Sequence, residues 1–151
     1  MAICRVHHHT LTVSDMDRSL HFYRDLLGFT VIYDKVRENL ASYDEVMNLK
    51  DVKVRVALLN DPAAATIVAL LQFHNPAPRK REMSNLFVGS TALAVQTDDI
   101  DADYQRLKAA GVRFTSKPVE VVRDGRVAAR LAYGFDPDEI VIELYQPIDV
   151  S

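Results

Sequence analysis

The β-branched content of residues 4–13 predicts a strand. Ser14 and Asp15 follow, either able to cap a helix by accepting from free backbone N–H groups. Met16, Leu20, Tyr23 and Leu27 then recur at helical spacing, and Gly28 stops the run where a left-handed residue is wanted. Strand-like stretches come next at 29–34, 52–59 and 66–73. The second half has the same layout. Asp98 or Asp99 caps, Ile100, Tyr104 and Leu107 form the stripe, Gly111 ends it, and strands are predicted at 112–122, 126–133 and 140–146. Each half reads strand, helix, then three strands.

The two halves also echo each other residue by residue. HHTLTVSDMD at 8–17 returns as ALAVQTDDID at 92–101, an offset of 84 that pairs Asp15 with Asp99 and Asp17 with Asp101. IVALLQF at 67–73 returns as VIELYQP at 141–147, an offset of 74 that pairs Leu70 with Leu144 and Gln72 with Gln146. The shorter second offset leaves about ten extra residues in the first half, near 35–51. A βαβββ unit has one face covered by its helix and one left bare, so two units are expected to pair and enclose a cavity. The expected fold is α+β, with two βαβββ modules forming one cupped mixed sheet and the helices outside. The modules are placed at 1–73 and 89–151, joined by a proline-containing, charged linker at 74–88.

Composition narrows the function. At 151 residues, 48% hydrophobic and 26% charged, the chain can build a real core and is not disordered by default. A net charge of −3 gives no footprint for nucleic acid or for an anionic membrane. The longest nearly apolar run, Ala63 to Leu71, is too short to cross a bilayer, and the start has no signal-peptide core. The single Cys4 has no intrachain disulfide partner, so a cytoplasmic location is expected.

Side chains on a strand alternate faces, which puts Val6, His8, Thr10 and Thr12 on one side and His7, His9 and Leu11 on the other. The three histidines are therefore expected to diverge. Glu143 shares a side with Val141 and Tyr145, and a carboxylate in so apolar a strand needs a partner. His8 and Glu143 are expected at corresponding outer strands of the two modules. Phe22, Tyr23, Phe29 and Phe114 read as core, while Tyr133, Phe135 and Tyr145 fit core or cavity equally. His21 reads as exposed, and Arg79-Lys80-Arg81 as a solvated linker run, with an anion such as a coenzyme A phosphate as the sharper alternative.

The segments HHTLTVSDMDRSLHFYRDLLGF at 8–29, TDDIDADYQRLKAAGVRF at 97–114 and FDPDEIVIELYQP at 135–147 resemble the vicinal oxygen chelate superfamily, which includes glyoxalase I, extradiol dioxygenases and bleomycin resistance proteins. The resemblance spans nearly the whole chain. It implies a small organic ligand, a homodimer, and a divalent metal (zinc, nickel, manganese or iron) held at four positions. Those positions fall on His8, Ala69, Ala92 and Glu143, so His8 and Glu143 are the implied metal and catalytic residues and the other two cannot ligate. Two of the usual three or four protein ligands remain. Three readings stay open: a third ligand from Gln72, His74 or Tyr145; a metal-free acid–base pair of His8 and Glu143; or a binder that performs no chemistry. Glu139 also departs from the family, which usually has glycine there.

Overall fold

The computed structural model describes residues 4–80, 84 and 86–148. The elements run β1 (His8–Thr12), α1 (Met16–Leu20) continuing into a π-helical turn (His21–Leu26), β2 (Thr30–Arg37), α2 (Ala41–Met47), β3 (Lys53–Asn60) and β4 (Ile67–Asn75). They continue with β5 (Ala92–Gln96), α3 (Ile100–Ala109), β6 (Val119–Arg123), β7 (Arg126–Phe135) and β8 (Val141–Pro147). The chain divides into two compact units, Met1–Arg81 and Glu82–Ser151. Each holds its own four-stranded mixed sheet, ordered β1-β4-β3-β2 in the first and β5-β8-β7-β6 in the second. This is an α+β fold.

The internal repeat is a repeat of register. His8 lies opposite Ile67 in the parallel β1–β4 ladder, and Ala92 lies opposite Val141 in the parallel β5–β8 ladder. Those are the partners that the two offsets equate. The helix starts repeat as well. Asp15 accepts from the Arg18 N–H at 3.0 Å, and Asp99 accepts from the Ala102 N–H at 3.0 Å, so Asp99 rather than Asp98 is the second cap. Gln72 accepts from the Met16 N–H and donates to the Ser14 carbonyl, at 3.1 and 3.2 Å. Its counterpart Gln146 accepts from the Ile100 N–H and donates to the Asp98 carbonyl, at 3.5 and 2.5 Å. These glutamines satisfy backbone groups that a helix start leaves without partners.

Beside each glutamine an arginine ties sheet to helix. Arg55, opposite Gln72, donates to Asp17 at 2.7 Å and forks onto Asp34 at 2.9 and 2.7 Å. That hydrogen bonding holds the Asp34 carboxyl below its ordinary value. Arg130, opposite Gln146, donates to Asp101 at 2.6 and 2.9 Å. The core lies between each helix and its sheet. Leu11, Val13, Met16, Tyr23, Leu59 and Leu70 are sealed in the first unit, and Ile100, Leu107, Ala132, Ile142 and Leu144 in the second.

Several boundaries differ from expectation, each for a local reason. The first strand begins at His8 rather than at residue 4, because the β4 ladder starts at Ile67. Ahead of it, residues 61–64 turn back through Ala64 at φ +55°. Of the strand predicted at 112–122, only the end at Val119–Arg123 forms. Pro118 offers no donor, and an isolated bridge from Phe114 to Gly134 is the sole ladder contact before it among the described residues. The extra residues near 35–51 extend β2 to Arg37 and then build α2. Through Tyr43 and Met47, α2 borders the face of the first sheet opposite α1. The first sheet also runs past residue 73, with β4 ending at Asn75. Glu143 is on β8, an inner strand of its sheet and not an outer one.

The β7–β8 turn is held by the buried Asp136 carboxylate, which accepts from the N–H groups of Asp138 and Ile140 at 2.8 Å each. The turn forces Glu139 to φ +68°, where a side chain is strained. Its ion pair to Arg113 is long, at 3.4 Å, and exposed. Glu139→Gly is therefore expected to stabilise the protein by about 0.5–1 kcal/mol. A thermal melt should show this as a rise of roughly 1–4 °C.

Candidate functional site

Strand β1 is an edge strand paired on one side to β4, and His8 opens its ladder. The His8 ring lines the face of the sheet opposite α1, as alternation predicts. His7 does not diverge from it. It precedes the strand, so alternation does not govern it, and its Nδ1 lies 2.8 Å from Nδ1 of His8 with the rings edge-on. One of these nitrogens must donate and the other accept. His21 is exposed and sits 3.0 Å from Asp25.

A pocket of about 470 Å³ occupies this face of the first unit. Its floor is made by His8 and Thr10 from β1, Ala69 and Leu71 from β4, and Val56 and Leu58 from β3. These residues are register partners: Thr10 lies opposite Ala69, Ala69 opposite Leu58, and Leu58 opposite Tyr33. Tyr33 and Arg37 close one wall from β2, and Tyr43 and Met47, one helical turn apart on α2, form the cover. The lining is mostly apolar, with a few convergent polar groups, which is the usual make-up of a small-molecule site. Tyr33, Arg37, Tyr43 and Met47 were not singled out from sequence. The available signal was the alternation of Tyr33, Lys35 and Arg37, together with the ten-residue difference between the two offsets.

The metal positions can be followed on each sheet. Ala69 is 3% exposed and lines the pocket with His8, so it does occupy the ligand-bearing face and brings no donor there. Gln72 is turned to the helix side and committed to the start of α1, which removes it as a substitute ligand. His74 is exposed near the end of β4. On the second sheet Glu143 is half-buried between Ala94 and Tyr133. Among the described residues of its own unit its carboxylate has no hydrogen-bond or ion-pair partner. Ala92 stands where the register repeats His8. Within either unit, the described residues gather no group of three His, Cys, Asp or Glu side chains suited to a metal. One donor per sheet does not fit a divalent metal that needs three or four protein ligands.

Residues 5–144 match the Glyoxalase/Bleomycin resistance protein/Dioxygenase superfamily. The chain belongs to that superfamily. A 2-epi-5-epi-valiolone epimerase from an Actinomyces species is 30% identical over 145 residues, covering 92% of this chain and 77% of that protein. Among solved structures, a glyoxalase-family protein from Bacillus cereus superposes with a TM-score of 0.87 at 18% identity, over 99% of this chain and 97% of that one. That likeness is one of fold. An antibiotic-binding protein from Streptomyces sp. CB03234 superposes with a TM-score of 0.65 at 26% identity, over 98% of this chain and 99% of that one. No helix of this superfamily member is long and apolar enough to cross a membrane among the described residues.

Proposed function

We propose that this superfamily member binds a small organic molecule in the pocket of its first unit without a resident divalent metal. Ala69 carries the reading: it lies on the pocket floor beside Thr10, at the position that β8 fills with Glu143 in the other sheet. The similarity to an antibiotic-binding protein supports a role in sequestering its ligand. In this reading the protein is a cytoplasmic homodimer. Exposed Val119 and Val122 on the edge strand β6 support the dimer, since an apolar sheet edge left uncovered invites pairing.

The test is metal content of protein purified without chelators or nickel resin. Far less than one zinc, nickel, manganese or iron per chain is expected, with a melting temperature unmoved by EDTA. One tightly held ion per chain would reverse the reading in favour of a metal-dependent lyase, isomerase or dioxygenase with an unrecognised third ligand. The same preparation should sediment as more than one chain.

The epimerase relative favours a second reading, in which His8 and Glu143 act together as an acid–base pair. His8 would take a proton from a carbon beside a carbonyl, and Glu143 would orient the imidazole or return the proton. This requires the two side chains to lie within a hydrogen bond, or a hydrogen bond and one water, of each other.

A further inference from the structure

The pocket holds one cation whose charge nothing around it answers. Arg37 lines the wall from the end of β2, half-buried, with its guanidinium 5.2 Å from the centre of the Tyr33 ring. Among the described residues it has no carboxylate partner. Of the acidic groups nearby in sequence, Asp34 pairs with Arg55, Glu38 with Lys53 at 2.9 Å, and Asp44 with the N–H groups of Asp51 and Val52 at 3.0 and 2.8 Å, while Glu45 is exposed on α2 and makes no ion pair with Arg37.

Beside Arg37 is a second unmet group. The Tyr33 hydroxyl is shut off from solvent and has no hydrogen-bond partner among the described residues. Buried hydroxyls are nearly always paired, so an orphan of this kind calls for an explanation. The covering helix α2 supplies room for one, because it buries no residue of its own and its first turn has no side-chain cap. Its tether to the body is the Asp44 carboxylate.

We infer that the pocket recognises an organic oxyanion, a carboxylate or phosphate carried on an apolar body, with Arg37 as the anion anchor and the Tyr33 hydroxyl as a second donor. A guanidinium offers paired N–H groups that match either oxyanion bidentately. Leu58, Leu71, Val56 and Met47 accept the apolar remainder. Displacement of α2 and of the Arg37 side chain by the ligand exposes the tyrosine hydroxyl and gives it the partner it lacks. The inference rests on the pocket of the first unit being the ligand site.

The full-length protein is titrated with hexanoate, hexyl phosphate and hexanol, followed by backbone-amide NMR. At least one anion is expected to bind roughly tenfold or more tightly than the alcohol, in line with a charge-assisted hydrogen bond. Whichever anion binds tighter tells carboxylate from phosphate. Arg37→Gln should bring the anion down to the affinity of hexanol, and Arg37→Lys should recover part of the difference. Tyr33→Phe separates recognition from structure. It should weaken anion binding while the free protein melts at the same temperature or higher, because the deleted hydroxyl had no partner to lose. If hexanol binds as tightly as the anions, or Arg37→Gln leaves them unaffected, the oxyanion inference falls and the pocket stands. If none of the three perturbs the pocket residues at millimolar concentration, the pocket reading falls with it.

Discussion

Ala69→Glu combined with Ala92→His is expected to bind zinc measurably more tightly than the parent chain. Ala69 faces the pocket that His8 lines, and Ala92 repeats the register of His8 on the second sheet. With His8 and Glu143 the two new side chains would supply four donors, the number a closed zinc site uses. Either change alone should add little, since three donors without the geometry capture only part of the chelate effect. At zinc concentrations about a thousandfold above Kd, linkage would stabilise the double variant by about 4 kcal/mol, read as a rise in melting temperature absent from the parent. Crowding is a lesser concern at position 69, because a pocket of about 470 Å³ lies in front of it. A normally folded double variant with parent-like zinc affinity would show that positions 69 and 92 do not bring their side chains to one site with His8 and Glu143.

Gly134→Val should cost the most stability of any single change considered. Gly134 is buried on β7, and a Cβ there would lie 2.9 Å from Cε1 of Phe114 and 3.2 Å from its Cδ1. The Phe114 ring cannot simply retreat, because it packs on Tyr104 with ring centres 4.8 Å apart and Tyr104 is anchored in α3. The backbone of Phe114 is also bridged to Gly134. Overpacking of this kind costs about 3 kcal/mol, with a fall in melting temperature of roughly 6–12 °C. Phe114→Ala in the same chain should recover part of the loss, a non-additivity expected of residues in contact. Additive effects of the two substitutions would mean that the clash is not what Gly134 avoids.

Much of the fold could be read from the chain because each half repeats a pattern that acts locally. Asp15 and Gly28, then Asp99 and Gly111, bracket helices by capping and by positive φ, and both devices depend on neighbours a few residues away. Where a boundary was misread, the missing information was non-local. The start of β1 is set by where β4 begins, and the loss of strand at 112–118 by Pro118 and the single bridge to Gly134. Conversely, α2 was visible only as surplus length. It carries no buried stripe, so the periodicity that marks α3 is absent from it.

The site was less readable than the fold. The alternation that puts His8 and Ala69 on the pocket face follows from strand geometry, as does the turning away of Gln72. Tyr33 and Arg37 carry no spacing that sets them apart from an ordinary amphipathic edge strand. Their interest comes from what they lack, a hydrogen-bond partner and a counter-charge, and an absence of partners becomes visible only once the neighbours are in place.

The two glutamine clamps have a consequence for how such a chain can change over time. On the helix-bearing side, the polar residues that fasten helix to sheet keep their identity: Asp15 with Asp99, Asp17 with Asp101, Gln72 with Gln146, and an arginine bound to each of Asp17 and Asp101. On the opposite side they have parted, His8 from Ala92 and Ala69 from Glu143. A single ribbon of sheet thus carries two histories, one back to back with the other. The bonding that fastens helix to strand constrains the polar residues that make it, and the bare side carries no such constraint.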